Sequence, residues 1–311
     1  MKRYNDLKSF LFERYGVKMV KISLDGGFTC PNRDGSIGWG GCIFCDERGA
    51  REKEPDASEI SLQISKKITE LLEKREAEKF IAYFQNFSGS YDKVSNLKEK
   101  YSAALTDKRV AVLSIGTRPD CINGEILQML SALASEKGAD VWIELGLQTS
   151  GDKTAELINR CYKSEIFPKA VGMIKSYGFS AVVHLMFGLP GEDEGAMLNS
   201  VKYTADTGVD GIKLHAASVM RGTVLEKMFR GGRYKPLTRE EYVNIAAKAI
   251  ALLPPEIVVH RLVSSCKTDL LVAPDWVRDK PGSLIALEEK FEADDIVQGK
   301  DLNVWRGAQD A

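Results

Sequence analysis

Short apolar runs rich in β-branched residues alternate along this chain with longer segments whose apolar positions recur every three or four residues. The short runs predict strands at 18–23, 79–84, 109–115, 140–146, 180–187, 211–216 and 257–262. Helices are predicted between them. The segment 58–75 carries Ile60, Ile64, Ile68 and Leu71 at helical spacing, with Ser58 as its candidate N-cap. Asn123 is positioned to cap a helix that ends at Lys137, before Gly138, and 192–207 ends before Gly208 in the same way. A helix over 238–253 must stop at Pro254-Pro255, because proline removes a helix donor and clashes with the preceding turn.

Strand–helix repetition of this kind implies an α/β fold with a parallel sheet and right-handed crossovers. Runs such as Ala111-Val-Leu-Ser-Ile115 and Ala181-Val-Val-His-Leu-Met186 are nearly all apolar, as expected of strands covered on both faces. Seven such strands suit an open doubly wound sheet or a full or partial β/α barrel, and periodicity does not choose between them. In each case ligands bind beyond the carboxyl ends of the strands.

The 311 residues are 44% hydrophobic and 28% charged, too apolar for a disordered chain. No apolar run approaches a membrane span, and charges interrupt the N-terminal segment where a secretory signal would be apolar, so the expected compartment is the cytosol. A formal net charge of −1 excludes a chain that wraps nucleic acid by its overall charge and leaves room only for a local basic patch. One candidate is the N-terminal stretch, where Lys2, Arg3, Lys8, Arg14, Lys18 and Lys21 outnumber Asp6 and Glu13; solvated surface and polyanion contact fit it equally. The acidic stretch with Glu288, Glu289, Glu292, Asp294 and Asp295 reads as the solvated face of a helix followed by a tail.

The six cysteines are unevenly spaced. Cys30, Cys42 and Cys45 lie in one loop directly after the first predicted strand. Eleven residues separate the first two, and four of them are glycines that let the loop fold back on itself. Cys42-Ile-Phe-Cys45 has a spacing that grips one metal centre. A structural zinc site would need a fourth ligand from elsewhere, and a redox pair would leave Cys30 unexplained. An iron–sulfur cluster on three thiolates keeps one iron open for a ligand. On spacing alone, iron–sulfur and zinc rank close together. Cys121, Cys161 and Cys266 stand apart and are expected as small buried side chains; Cys266, at a strand exit, is also a candidate substrate-side thiol.

With its cysteine loop after strand one, the chain resembles the radical S-adenosylmethionine superfamily. The first cysteine gap is longer than that superfamily's usual three residues and is similar to that of a small Elongator-like subfamily. Further motifs of the subfamily follow in order: Gly116-Thr-Arg-Pro-Asp120, Glu144-Leu-Gly-Leu-Gln148, Ile158-Asn-Arg160, Phe187-Gly-Leu-Pro-Gly-Glu192, Lys213-Leu-His215 and Arg221-Gly-Thr223. The resemblance extends over roughly residues 15–265. It implies a partial (β/α)6 TIM-type barrel over 18–265, an N-terminal helical extension over 1–17 and a C-terminal extension over 266–311 that packs on the barrel.

The resemblance also implies chemistry. Cys30, Cys42 and Cys45 would bind a [4Fe–4S] cluster whose open iron chelates S-adenosylmethionine. Cleavage of the sulfonium would yield a 5′-deoxyadenosyl radical that abstracts hydrogen from an unactivated C–H. Phe44, Gln85, Asn86, Thr117, Gln148, Arg160, His184 and Gly188 become candidate cofactor-binding residues. Among these, Gln148 and Arg160 would meet the ribose and carboxylate, since guanidinium suits a bidentate carboxylate grip. Each also has a plainer reading: a polar turn at Gln85-Asn86, an N-cap turn at Thr117–Asp120, a surface salt bridge for Arg160, a satisfied core histidine for His184, and a turn at Gly188-Leu-Pro-Gly191. His215, Arg221 and Cys266 are the substrate-side candidates, with His260 and Arg261 weaker. The implied partners are tRNA, whose wobble-uridine carboxymethylaminomethyl group would be converted to aminomethyl, and an electron donor such as flavodoxin or ferredoxin, with no membrane involved. The chain departs from the pattern at Gly151, where relatives carry His, and at Cys161-Tyr162, where they carry Gly-His; this bears on substrate choice. Two alternatives are a radical enzyme with another substrate and a non-catalytic zinc protein.

Overall fold

A computed structural model describes residues 2–49, 59–74, 77–264 and 269–302. In chain order the elements are α1 (Leu7–Tyr15), β1 (Met19–Leu24), α2 (Ile60–Glu73), β2 (Lys79–Phe84), α3 (Val94–Ala104), β3 (Val110–Thr117), α4 (Gly124–Lys137), β4 (Asp140–Gln148), α5 (Asp152–Leu157), α6 (Ile166–Ser176) and β5 (Ser180–Phe187). They continue with α7 (Glu194–Asp206), β6 (Gly211–Ala216), β7 (Val219–Met220), α8 (Val224–Arg230), α9 (Arg239–Leu252), β8 (Val258–Arg261), β9 (Leu271–Ala273) and α10 (Lys280–Ala293).

All seven strands predicted from the sequence form, and they pair in parallel in the order β1-β2-β3-β4-β5-β6-β8. Local chemistry sets the helix ends. The Asn123 side chain caps α4 by accepting from Ile126 N, and Gly138 closes that helix in the left-handed conformation. Thr238 and Glu241 form a capping box at the start of α9. The helix after β5 begins later than the hydrophobic pattern suggests, at Glu194, because the Asp193 carboxylate takes the cap position and accepts from Ala196 N. Ser58 and Arg75 lie outside the described residues, and α2 starts after Glu59.

The curl of the sheet decides between the architectures left open by periodicity. In a flat sheet β2 and β6 would lie roughly 19 Å apart, at about 4.8 Å per strand. Here Lys213 Nζ on β6 stands 3.2 Å from the Tyr83 hydroxyl on β2. Only a sheet rolled around its inner face allows this, so the fold is a partial β/α barrel.

Alternation sorts each strand's residues into two sets. The outer set includes Ile22, Phe80, Leu113, Ile143, Val183 and Leu214, buried together with the surrounding helices in the main apolar core. The inner set is layered. At the bottom Ile81, Val112 and Trp142 pack against Leu11 of α1. The N-terminal segment thus closes the barrel floor, and Val259 N of edge strand β8 donates to Asn5 O at 2.8 Å.

This placement favours solvated surface over polyanion contact for the basic N-terminal stretch. It lies at the strand ends opposite the binding rim. Lys2 pairs with Asp6, Arg3 with Asp295, Arg14 with Asp140 and Lys21 with Glu144. The acidic residues of and after α10 are exposed, as expected of a solvated helix face.

Candidate active site

The cysteine loop is built by backbone hydrogen bonds that glycine makes possible. Cys30 O accepts from Arg33 N at 2.8 Å, Ile37 N donates to Pro31 O at 3.0 Å, and Gly41 N returns to Asn32 O at 2.8 Å. Gly40 and Gly41 adopt φ of 78° and 79°, which side chains rarely tolerate. The returning strand of the loop is tied to the barrel rim. Ile43 N donates to Ile158 O at 3.0 Å, Leu225 N of α8 donates to Ile43 O at 2.9 Å, and Asn159 Nδ2 donates to Gly41 O at 2.8 Å.

The three thiols lie within one another's field. Burial pushes Cys42 up to about 12, and Cys45 and Cys30 add to the shift while Arg118 opposes it. Burial pushes Cys45 up to about 11, with Arg33 opposing and Asp46 and Cys30 adding. Thiolates so disfavoured need a cationic centre to form, which is what metal ligation supplies. Among the described residues no three His, Cys, Asp or Glu side chains gather closely enough for one metal ion, and no fourth protein ligand of a closed zinc site stands beside the three cysteines. Arg33 Nη1 lies 3.5 Å from Cys45 Sγ, and Asn32 Nδ2 lies 3.8 Å from Cys42 Sγ, giving the sulfurs polar neighbours that tune a metal centre.

The rim around the loop holds strained backbone. Phe87, Gln148, Asn159 and Cys161 all have positive φ, of 57°, 67°, 53° and 62°. Gln148 sits at a bulge between β4 and β5, after Gly146, and its amide folds back over that glycine. Asn86 is buried at the exit of β2, and Gln85 beside it is partly buried. Phe44 packs with Ile43, Ile158 and Leu225.

Several candidates are engaged within the protein. The Thr117 hydroxyl is shared with Ser88 Oγ at 2.8 Å and Ser90 Oγ at 2.6 Å, which fastens the β2 and β3 exits together. Arg160 is 1% exposed, and its ion pair with the half-exposed Asp152 carboxylate, at 3.8 Å, is longer than its hydrogen bonds inside the protein. Its Nη1 donates to Leu147 O at 2.6 Å and Thr149 O at 2.5 Å, its Nη2 to Tyr162 O and Ser164 Oγ at 3.0 Å each, and its Nε to Tyr162 O at 3.2 Å. All five N–H groups are used, so this arrangement leaves none for a ligand carboxylate. Gly188 has φ of 83°, its carbonyl accepts from Tyr234 OH at 2.8 Å, and a Cβ there would come 2.8 Å from Leu237. Its turn therefore demands glycine. Arg221 is exposed beyond β7, and Cys266 lies outside the described residues.

Two of the three cysteines expected to be small buried residues, Cys121 and Cys161, are not fully buried. Cys161 is exposed, and its thiol donates to Asn32 Oδ1 of the cysteine loop at 3.1 Å. Cys121 is partly buried beside Asp120, in the field of Cys30. Sequence separation hid this, because β3 and β4 deliver both residues to the same rim.

Beneath the rim, the middle layer of the barrel is a charged cluster in which the sequence reading gave a role only to His184. Glu144 on β4 pairs with Lys21 Nζ of β1 at 3.0 Å and with Lys213 of β6, and accepts from Ser114 Oγ of β3 at 2.7 Å. His184 Nε2 of β5 lies 2.8 Å from Glu144 Oε2, and since a carboxylate only accepts, that nitrogen carries the hydrogen. Lys21 and Lys213 flank the Tyr83 ring at 4.1 and 4.5 Å. Burial alone would raise the Glu144 carboxyl, yet Lys21, Lys213 and His184 hold it well below the usual carboxylate range. Burial, joined by the charge of Lys213, pushes His184 down to about 4. The His215 ring stacks on His184 at 5.1 Å, and its buried Nε2 has no hydrogen-bond partner among the described residues. The available signal was a charge inside an apolar strand, as in Val141-Trp-Ile-Glu144-Leu or Ile212-Lys213-Leu, since such a charge needs a partner across the fold.

A model of the radical SAM superfamily matches residues 30–204, and one of the Radical SAM C-terminal domain matches residues 209–293. The chain belongs to the radical SAM superfamily. Radical SAM enzymes use a [4Fe–4S] cluster and S-adenosylmethionine, and these are the cofactors of this enzyme. The uncharacterized protein YtqA of Bacillus subtilis (strain 168) is 35% identical over 300 residues, covering 96% of this chain and 92% of its own length. The tRNA uridine(34) acetyltransferase of Methanocaldococcus jannaschii is 31% identical over 183 residues, 57% of this chain and 33% of that protein. Elp3 of Methanocaldococcus infernus, solved with an N-terminal deletion, superposes with a TM-score of 0.65 at 18% identity, covering 90% of this chain and 64% of that one. This radical SAM chain therefore has an Elongator-like barrel.

Proposed function

We propose that this radical SAM enzyme modifies tRNA at the wobble uridine, converting a carboxymethylaminomethyl group to aminomethyl. The observation that carries the reading is the 31% identity to a tRNA uridine(34) acetyltransferase over 183 residues, beside the run of Elongator-like motifs in the sequence. Cys30, Cys42 and Cys45 would hold the cluster, whose mutually interacting and desolvated thiols suit it. When bound, cluster and S-adenosylmethionine supply a carbon radical able to take hydrogen from a C–H too weakly acidic for a base. The chain's own residues set the surroundings. Arg33 and Asn32 offer polar contacts to the thiols. Arg160 and Thr117 lock the strand exits. Gln148 and His184 are the remaining polar candidates for the nucleoside end of the cofactor, and the Glu144 cluster fills the barrel below and keeps bulk water out.

We further read the chain as a cytosolic protein served by a flavodoxin or ferredoxin, with the barrel between two terminal extensions. No helix among the described residues is long and apolar enough to cross a membrane. The experiment is nucleoside mass analysis of tRNA from cells lacking the protein. Carboxymethylaminomethyluridine should accumulate at the expense of the aminomethyl form; an unchanged profile overturns the tRNA reading. A radical enzyme acting on another substrate is the second reading, favoured by Gly151 and the exposed Cys161 at the rim.

A further inference from the structure

The net charge of −1 conceals a strongly basic segment at the rim. Between residues 221 and 239, six basic side chains accompany a single acidic one, Glu226. Arg230 pairs with Glu226 and Arg239 with Asp279. Arg221, Lys227, Arg233 and Lys235 are exposed and make no ion pair with any described residue. The segment comprises α8 and the Arg230-Gly-Gly-Arg233 turn after it, where Gly232 has φ of 68°. It is fixed directly to the cysteine loop, because Leu225 N donates to the carbonyl of Ile43, the neighbour of Cys42. Unpaired cations held together repel one another, and a polyanion relieves that repulsion.

A second observation from the same rim gives the polyanion a class. Trp39, on the cysteine loop, is 75% exposed, and its indole lies over Gly35, where a Cβ would come 2.4 Å from the ring. One ring face is thus braced on backbone, and the other is open. Asn159 Nδ2 donates to both Trp39 O and Gly41 O, and its neighbour Ile158 accepts from Ile43 N. The indole and the basic segment are therefore anchored on either side of the same Ile43 backbone. An acidic protein would meet the cations alone. Single-stranded RNA offers phosphates to cations and base faces to an exposed indole.

We propose that Trp39 and the Arg221–Lys235 segment form one RNA-docking face that carries a single-stranded stretch of tRNA over the barrel mouth. This inference rests on the tRNA reading above. It differs from the basic N-terminal stretch, which lies at the opposite end of the barrel with four of its six cations paired.

The test uses cluster-loaded enzyme and a fluorescently labelled tRNA transcript, with binding followed by anisotropy across a salt series. The combined Lys227→Glu, Arg233→Glu and Lys235→Glu variant should bind at least about tenfold more weakly and flatten the salt dependence by about two logarithmic units per decade of salt, each lost phosphate contact accounting for about 0.7. Trp39→Ala should weaken binding at least about fivefold with the salt slope unchanged, since stacking is not ionic. Iron content and melting temperature check that both variants fold. If both bind like the parent, the docking face is wrong and the tRNA reading stands. If the parent itself binds no tRNA yet still cleaves S-adenosylmethionine, face and tRNA reading fall together. If the charge variant keeps RNA binding and loses only reduction by flavodoxin, the segment serves an acidic protein donor and the RNA assignment is overturned.

Discussion

Glu144 on β4 and Lys213 on β6 are ion-paired in the barrel interior, with the carboxylate 1% exposed and the lysine 2% exposed. Two strands that are not neighbours in the sheet are thus joined through their inner faces, and Lys21 and His184 complete the shell around the carboxylate. Charges this deep persist only as a set.

Removing the centre of the set leaves two ammonium groups without their counter-charge. Glu144→Gln should destabilise the protein by about 3 kcal/mol or more, the usual scale for one partner lost from a buried pair. Replacing Lys213 by Met in the same chain should restore part of the loss, because one stranded charge goes with it. Urea unfolding of the two variants checks this, and equal stability of parent and Glu144→Gln would refute the ion-pair account.

The histidines make stability fall with acid. His184 is pushed down to about 4, and burial holds His215 and His260 well below the ordinary histidine range. The unfolded chain therefore binds protons near pH 6.5 that the folded chain refuses, so stability is full above that pH and declines toward pH 4. The full loss attributable to His184 alone is about 3 kcal/mol, at about 1.36 kcal/mol per unit of pKa displacement. Urea midpoints at pH 7, 5.5 and 4.5 should descend steadily, and His184→Gln should shallow the descent.

Arg160 separates a fastening role from a ligand role. With all five N–H groups donated inside the protein, Arg160→Lys loses the fork geometry and should cost about 2–3 kcal/mol of stability. A direct carboxylate contact would instead raise KM for S-adenosylmethionine and leave the melting temperature alone. Measuring both on one variant decides between them.

The cysteine assignment is tested by colour and product. Anaerobically reconstituted parent protein should be brown, with about four irons, and should form 5′-deoxyadenosine. Cys45→Ala should lose both properties, and retention of both would refute the ligand assignment.

The sequence by itself determined the strands, most helix boundaries and the cysteine loop, because each follows from local chemistry. Alternation, caps such as Asn123 and Thr238, and closely spaced thiols are legible within a dozen residues. The motif order was legible too, and with it the family. The tertiary structure decided what depends on the curl of the sheet. Rolling brings Lys21, Tyr83, Ser114, Glu144, His184 and Lys213 from six strands into one layer, which no window along the chain contains. It carries Cys161 to Asn32 and turns it from an expected core residue into an exposed thiol beside the loop. It also pairs four of the six N-terminal lysines and arginines at or just above the barrel floor, and sets the segment around α8 beside Cys42 with four of its six cations unpaired. Charge is additive along a sequence, but whether a given charge is neutralised depends on distances that only the fold sets.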